Sequence, residues 1–115
     1  MKIKRGYLYT ADLNPSQGTK PGKIRPVLVI QTDLMNEEAH PSTLVCLLST
    51  QVRPEAEVLR VHLKKGEAGL LKDSDVIIDQ IRVIDNRRFK EQMGKLSVNS
   101  LQEIEEKIKI VLDLD

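Results

Sequence analysis

The sequence predicts a mainly β (α+β) fold: a small twisted sheet or barrel with one amphipathic helix lying across it. Three observations predict it. Short apolar or alternating runs recur between residues 6 and 96, at strand length. Clusters of Gly and Pro punctuate them. From Ser97 onward the apolar residues fall at helical spacing instead. Strands followed by a single helix give a sheet with one covered face. A chain of 115 residues holds one compact domain, taken here as 1–115, and 40% hydrophobic with 30% charged residues is ordinary globular composition.

The elements follow in order. Gly6 to Leu13 is rich in aromatic and β-compatible residues and reads as a strand. Asn14 to Lys23 contains two prolines and two glycines, which forbid regular structure and predict a long polar loop. Pro26-Val27-Leu28-Val29-Ile30 is a continuous apolar run, as in a strand buried on both faces, with the proline as its first residue. Thr32 to Pro41 is a polar loop with a helical turn. Leu44 to Leu48 is a third strand, ending at Ser49-Thr50-Gln51. Val58 to Leu63 alternates as a half-buried strand does, Lys64 to Lys72 is a connection, and Asp75 to Ile84 is a longer strand interrupted by polar residues. Phe89 to Leu96 makes a short final strand. Leu101, Ile104, Ile108, Val111 and Leu112 then define one apolar helix face, with Ser97 or Ser100 as its cap. Ser100 and Glu103 have capping-box spacing, and early acidic residues suit the helix dipole.

Composition excludes several classes. One cysteine, Cys46, rules out an intramolecular disulfide and points to a reducing compartment. Set within Leu44 to Leu48, it reads as a small buried hydrophobe rather than a nucleophile. The polar start lacks the character of a signal peptide, and no run approaches the ~18 apolar residues of a membrane span. Aromatics are only 3%, with no Trp, so base stacking can contribute little to any nucleic-acid site. Net charge is +1, but unevenly spread: residues 1–30 hold Lys2, Lys4, Arg5, Lys20, Lys23 and Arg25 against Asp12 alone. Residues 101–115 hold five acids against two lysines. A basic face for a polyanion fits this asymmetry, as does ordinary solvated surface charge.

Common catalytic spacings are absent, and His40 and His62 are isolated, so no metal site is expected. What remains is positional. Arg25 stands where the long loop enters a buried strand, and Ser49-Thr50 where another buried strand leaves the core. If those ends are neighbours, a guanidinium and a hydroxyl converge. The first matches phosphate geometry bidentately and the second donates to a non-bridging oxygen. An arginine at a sheet edge and a Ser-Thr turn are the purely structural alternative.

These segments resemble the MazF/PemK family of bacterial toxins along nearly the whole chain. Arg5-Gly6-Tyr7-Leu8-Tyr9-Thr10-Ala11-Asp12-Leu13-Asn14-Pro15 is similar to its opening Arg-Gly-Asp-x-Tyr-x-Ala-Asp-Leu-x-Pro pattern. Gly22-Lys23-Ile24-Arg25-Pro26-Val27-Leu28-Val29-Ile30-Gln31 is similar to its central Arg-Pro-Val-Leu-Val-Ile signature. Asp73-Ser74, Asp79-Gln80-Ile81-Arg82 and Ile84-Asp85 resemble its later strand, and Leu112-Asp113-Leu114 its C-terminal helix.

The resemblance implies an SH3-like, CcdB-like barrel with a C-terminal helix and short extra helical turns, assembled as a homodimer. It implies a cytoplasmic bacterial endoribonuclease, without cofactor or metal, that cuts single-stranded RNA to a 2′,3′-cyclic phosphate and a 5′-hydroxyl. The RNA supplies its own 2′-hydroxyl nucleophile, so the enzyme aligns that attack and stabilises the phosphorane. A cognate antitoxin is the implied partner, its acidic disordered tail filling the substrate groove. Arg25 matches the family's catalytic arginine; as a permanent cation it suits phosphate stabilisation better than proton abstraction. Ser49 matches a position usually occupied by threonine, with Thr50 as the alternative one residue on. Asp79 and Gln80 match positions near the RNA groove, where sheet or dimer hydrogen bonding is the other reading. Thr19, Lys20, Lys23 and Gln51 complete the candidate RNA contacts. Many members carry Glu-Gln before the loop glycine where this chain has Lys20-Pro21. The glutamate's role therefore does not transfer, and His40 is a substitute proton carrier or an ordinary surface histidine. Two rivals use the same fold: a CcdB-like gyrase poison, and an RNA-binding protein without activity.

Overall fold

The computed structural model describes residues 1–14 and 23–115. Its strands are β1 (Tyr7–Asp12), β2 (Ile24–Val29), β3 (Ser42–Ser49), β4 (Arg60–Leu63), β5 (Ser74–Asp85) and β6 (Phe89–Lys95). They form one antiparallel sheet in the order β4-β5-β3-β2-β1-β6. Two helices accompany it, α1 (Asp33–Glu37) and the C-terminal α2 (Val98–Val111). The predicted mainly β fold with one long helix is the observed one. No helix among the described residues is long and apolar enough to cross a membrane.

Side-chain alternation divides the core between the two faces of the sheet. Leu8, Leu28, Cys46, Leu48, Val61, Leu63, Val76 and Ile78 cluster on one face with Leu96 and Ile104. Tyr9, Ala11, Val27, Val29, Val45, Ile84 and Phe89 cluster on the other, where the Tyr9 and Phe89 rings meet edge to face at 5.3 Å. Burial on both sides explains the unbroken apolar run at Val27-Leu28-Val29, all fully buried. It also places Cys46 inside the core, fully buried, where burial pushes its thiol up to about 12.

The sheet curls so that its two edges approach each other. The 3-10 turn Glu67–Gly69, which follows edge strand β4, packs on the opposite edge strand β6. Gly94 of β6 makes that contact possible: a Cβ there would stand 2.9 Å from the carbonyl carbon of Ala68. At Gly69, where φ is +82°, an added Cβ would stand 3.1 Å from the Met93 carbonyl oxygen.

Several boundaries depart from expectation. β2 starts at Ile24 rather than Pro26. Its ladder with β3 begins only at Val27, so the proline, which lacks an N–H, sits at the margin of two-sided pairing. β4 is shorter than the Val58–Leu63 run, with Val58 and Leu59 left exposed. α2 is capped by Ser97, whose hydroxyl accepts from the Ser100 amide, and not by Ser100. The expected Ser100–Glu103 capping box is absent: Glu103 pairs with Lys107 one turn on, and the first turn carries no acid. Glu67 replaces it from outside the helix, its carboxylate accepting from the Ser97 amide and hydroxyl. A tertiary contact thus does what a local motif was expected to do.

Candidate active site

Val27 of β2 lies opposite Leu47 of β3. Continuing that antiparallel register by two residues brings Arg25 level with Ser49, where β2 begins and β3 ends. Arg25 and Ser49 line one cavity of about 230 Å³ together with Ile24, Pro26, Leu48, Thr50 and Ser74. The convergence posited from sequence is therefore present: a cation and two exposed or half-exposed hydroxyl residues stand over an apolar floor.

The polar groups of this cavity are not equivalent. Arg25 is exposed, and its guanidinium has no carboxylate partner among the described residues. The Ser49 hydroxyl oxygen accepts from the Gln51 amide at 3.1 Å, which leaves its proton free to donate into the cavity. Ser74 is committed, its hydroxyl donating to the Lys72 carbonyl at 3.0 Å. A permanent cation beside an oriented O–H donor is an anion-binding arrangement.

The described residues on either side of positions 15–22 are tied to each other. The Leu13 amide donates to the Lys23 carbonyl, and the Lys23 amide to the Asn14 side-chain oxygen, each at 3.0 Å. Arg88 donates to the Asp12 and Asn14 carbonyls from the turn Asn86–Arg88. Asp85 caps that turn; the side-chain hydrogen bond from Arg87, and then its amide, hold the carboxyl down at about 2. These contacts set Lys23, which is exposed, beside the entrance to Arg25. Thr19 and Lys20 lie outside the described residues.

Other candidates fall at different distances. Gln51 is exposed directly after the Ser49 turn and belongs to the site through its amide. Asp79 and Gln80 occupy an irregularity in β5: Cys46 pairs with Ile81 but Leu48 with Val76, so the extra β5 residues bulge out beside Leu47. Both are exposed there, about 7 Å along the sheet from Ser49 at two residues of strand rise. His40 is not brought to the site. It precedes β3 at the end opposite Ser49, on the order of 25 Å away along an eight-residue strand. Its ring nitrogen Nδ1 lies 2.8 Å from the Ser42 carbonyl oxygen, and its own carbonyl accepts from Asn86, so it closes a turn. The distance excludes it as the proton carrier for Ser49 within one chain.

One residue escaped the sequence reading. Asp75 is 1% exposed, faces Ser49 in the β3–β5 ladder, and holds the segment that follows Ser49. Its only signal in the sequence is an acid opening the apolar run Val76-Ile77-Ile78.

Known proteins share both sequence and fold with this chain. The family described as PemK-like, MazF-like toxin of type II toxin–antitoxin system matches residues 4–112. Endoribonuclease MazF of Staphylococcus saprophyticus is 36% identical over 112 residues, spanning 97% of this chain and 92% of that protein. Among solved structures, Mycobacterium tuberculosis toxin MazF-mt6 aligns with a TM-score of 0.78 at 24% identity, covering 95% of this chain and 98% of its own. A MazE–MazF crystal structure from Deinococcus radiodurans aligns at 0.80 and 20% identity over 100% of both chains. At those identities the two structures establish the fold. Sequence, fold and the 4–112 match agree: the chain belongs to the PemK-like, MazF-like toxin family of type II toxin–antitoxin systems.

Proposed function

We propose that this chain, as a single toxin domain, is a metal-independent endoribonuclease that cleaves single-stranded RNA and is restrained by a cognate antitoxin. The observation that carries the reading is the pairing, in one cavity, of a guanidinium that has no carboxylate partner among the described residues with a hydroxyl whose oxygen already accepts from the Gln51 amide. Family membership and the endoribonuclease relative support it.

The chemistry follows from those groups. The RNA 2′-oxygen loses its proton and bonds to the adjacent phosphorus. The bond from phosphorus to the 5′-oxygen breaks and that oxygen takes up a proton, leaving a 2′,3′-cyclic phosphate and a 5′-hydroxyl with no net change in protons. Arg25 spans two non-bridging oxygens and opposes the charge that grows on them, while Ser49 donates to one of the two. Single-stranded RNA is required because a stacked duplex prevents in-line attack. Thr19, Lys20, Lys23, Gln51, Asp79 and Gln80 flank the reacting phosphate as RNA contacts, and Thr50 stands next to Ser49 as the second hydroxyl.

The protein acts in the bacterial cytoplasm as a homodimer. Leu44 and Val83, cross-strand partners on β3 and β5, are 42% and 57% exposed, and Ile110, Leu112 and Leu114 are exposed at the end of α2. Apolar surface of this kind is ordinarily covered by a partner. The antitoxin contributes an acidic tail that takes the place of phosphates near Lys20 and Lys23. Reversing both lysines to Glu is expected to weaken antitoxin binding by roughly tenfold or more and to flatten its salt dependence. Titration at two ionic strengths reads both effects, and unchanged affinity and slope would exclude this contact.

Cleavage of a long unstructured RNA in excess EDTA, followed by end-group analysis, tests the activity. Cyclic-phosphate and 5′-hydroxyl ends are expected. Intact RNA in the presence of folded, dimeric protein would overturn the nuclease reading and direct attention to gyrase inhibition.

A further inference from the structure

We infer that Asp75 is a positioning residue for RNA cleavage: its buried carboxylate, acting with Arg60, holds the Gln51–Arg53 segment so that the Gln51 amide aims the Ser49 hydroxyl. The inference rests on the assignment of Arg25 and Ser49 to the reaction.

Asp75 lies at the middle of three strands. It is opposite Ser49 on β3 and opposite His62 on β4. Its side chain is 2% exposed and each oxygen is engaged. Oδ2 accepts from the Arg53 amide at 2.8 Å and from the Arg60 guanidinium at 3.3 Å. Oδ1 lies 3.2 Å from His62 Nδ1. The same Arg60 nitrogen donates to the Gln51 carbonyl at 3.0 Å. Gln51 is thus held from both directions, through its own carbonyl and through the amide two residues later. Its remaining polar backbone group, the N–H, points at Ser49 Oγ.

A carboxylate this deeply buried is costly unless each oxygen is paired, and removing a partner leaves an uncompensated charge. The segment it holds, Gln51 to Glu57, is largely exposed, with Val52 36% exposed. Its packing contributes little to holding Gln51 in place, so hydrogen bonds to a fixed strand residue carry the geometry. Arg60 is secured in turn: its carbonyl accepts from Lys107 of α2 at 2.9 Å, and Lys107 pairs with Glu103. The larger cavity beside this cluster, about 510 Å³ and lined by Arg53, Arg60, His62 and Lys107 among others, is the hollow under the held segment.

Misdirecting one hydrogen-bond donor at a phosphorane affects the transition state more than substrate binding. Asp75→Ala is therefore expected to lower kcat by roughly 10- to 100-fold with KM within about twofold. The substrate would be an oligonucleotide containing the cleavage sequence mapped on the long RNA. Asp75→Asn keeps an acceptor oxygen for the Arg53 amide and is expected to recover most of that loss. In a Ser49→Ala background Asp75→Ala should cost little more, because no hydroxyl remains to be aimed. An unchanged kcat in Asp75→Ala, or a loss that multiplies fully with that of Ser49→Ala, would overturn the inference and leave the nuclease assignment intact. Wild-type protein that leaves RNA uncut would overturn both. If Asp75→Ala does not fold, Arg60→Met keeps the side-chain stem and removes the strap to Gln51. It should show the same kcat loss and the same collapse in the Ser49→Ala background; wild-type kcat there would equally reject the role.

Discussion

Arg25→Ala is expected to lower kcat/KM for RNA cleavage by roughly 100- to 1,000-fold without unfolding the protein. The fold should tolerate it because the side chain is exposed and makes no ion pair among the described residues. Its aliphatic stem contributes little to either core cluster. The reaction should not tolerate it, because among the described residues that line the cavity Arg25 is the one cation: Ser49, Thr50 and Ser74 are hydroxyls and the others are apolar. Arg25→Lys restores the charge but not the planar fork, and should regain only part of the rate. Single-turnover cleavage beside a thermal melt separates the two effects. A rate within about threefold of wild type, with the melt unchanged, would remove Arg25 from the chemistry.

Ser49→Ala comes next in size, at roughly 10- to 100-fold in kcat, since one neutral donor to the phosphorane is lost rather than a charge. The stability cost should be small: the Gln51 amide that loses its acceptor is at the surface and turns to water. Ser49→Thr should keep the rate, because it keeps the hydroxyl and adds only a methyl at a half-exposed position. Thr50→Ala is the comparison, at the second hydroxyl, which is exposed and one residue beyond the Arg25 register. If Thr50→Ala produced the large loss and Ser49→Ala did not, the reacting hydroxyl would be Thr50, and the role inferred for Asp75 would fail with the exchange.

These two variants test the part of the site that was legible in the sequence. Arg25 and Ser49 could be named because each stands where an apolar run meets a polar segment, and such junctions are where a strand delivers a side chain to the surface. Asp79 and Gln80 were named as well, but their placement depends on a shift in β5 register that no two-residue alternation announces. For His40 the sequence leaves two readings open, a substitute proton carrier and an ordinary surface histidine. It is near the third strand in sequence but at the end away from Ser49, where it closes a turn, because proximity along the chain is not proximity in space. Asp75 carries no such signal, because a lone acid in an apolar run reads as an interruption until the groups that face it are known.

The sequence by itself determined the elements and their class. Apolar runs of strand length, turn residues between them and a change to helical period after Ser97 are local signals, because they arise from backbone geometry within a few residues. It also determined that Cys46 lies inside and that the termini of β2 and β3 carry polar chemistry. Only the tertiary structure decided how the ends meet. The β2–β3 register sets Arg25 against Ser49, the Glu67 carboxylate accepts from the amide of the α2 cap Ser97 in place of Glu103, and three strands converge on Asp75. Each of these is a pairing between residues distant in sequence, settled by packing both faces of one curled sheet at once, and periodicity along a single segment carries no information about it.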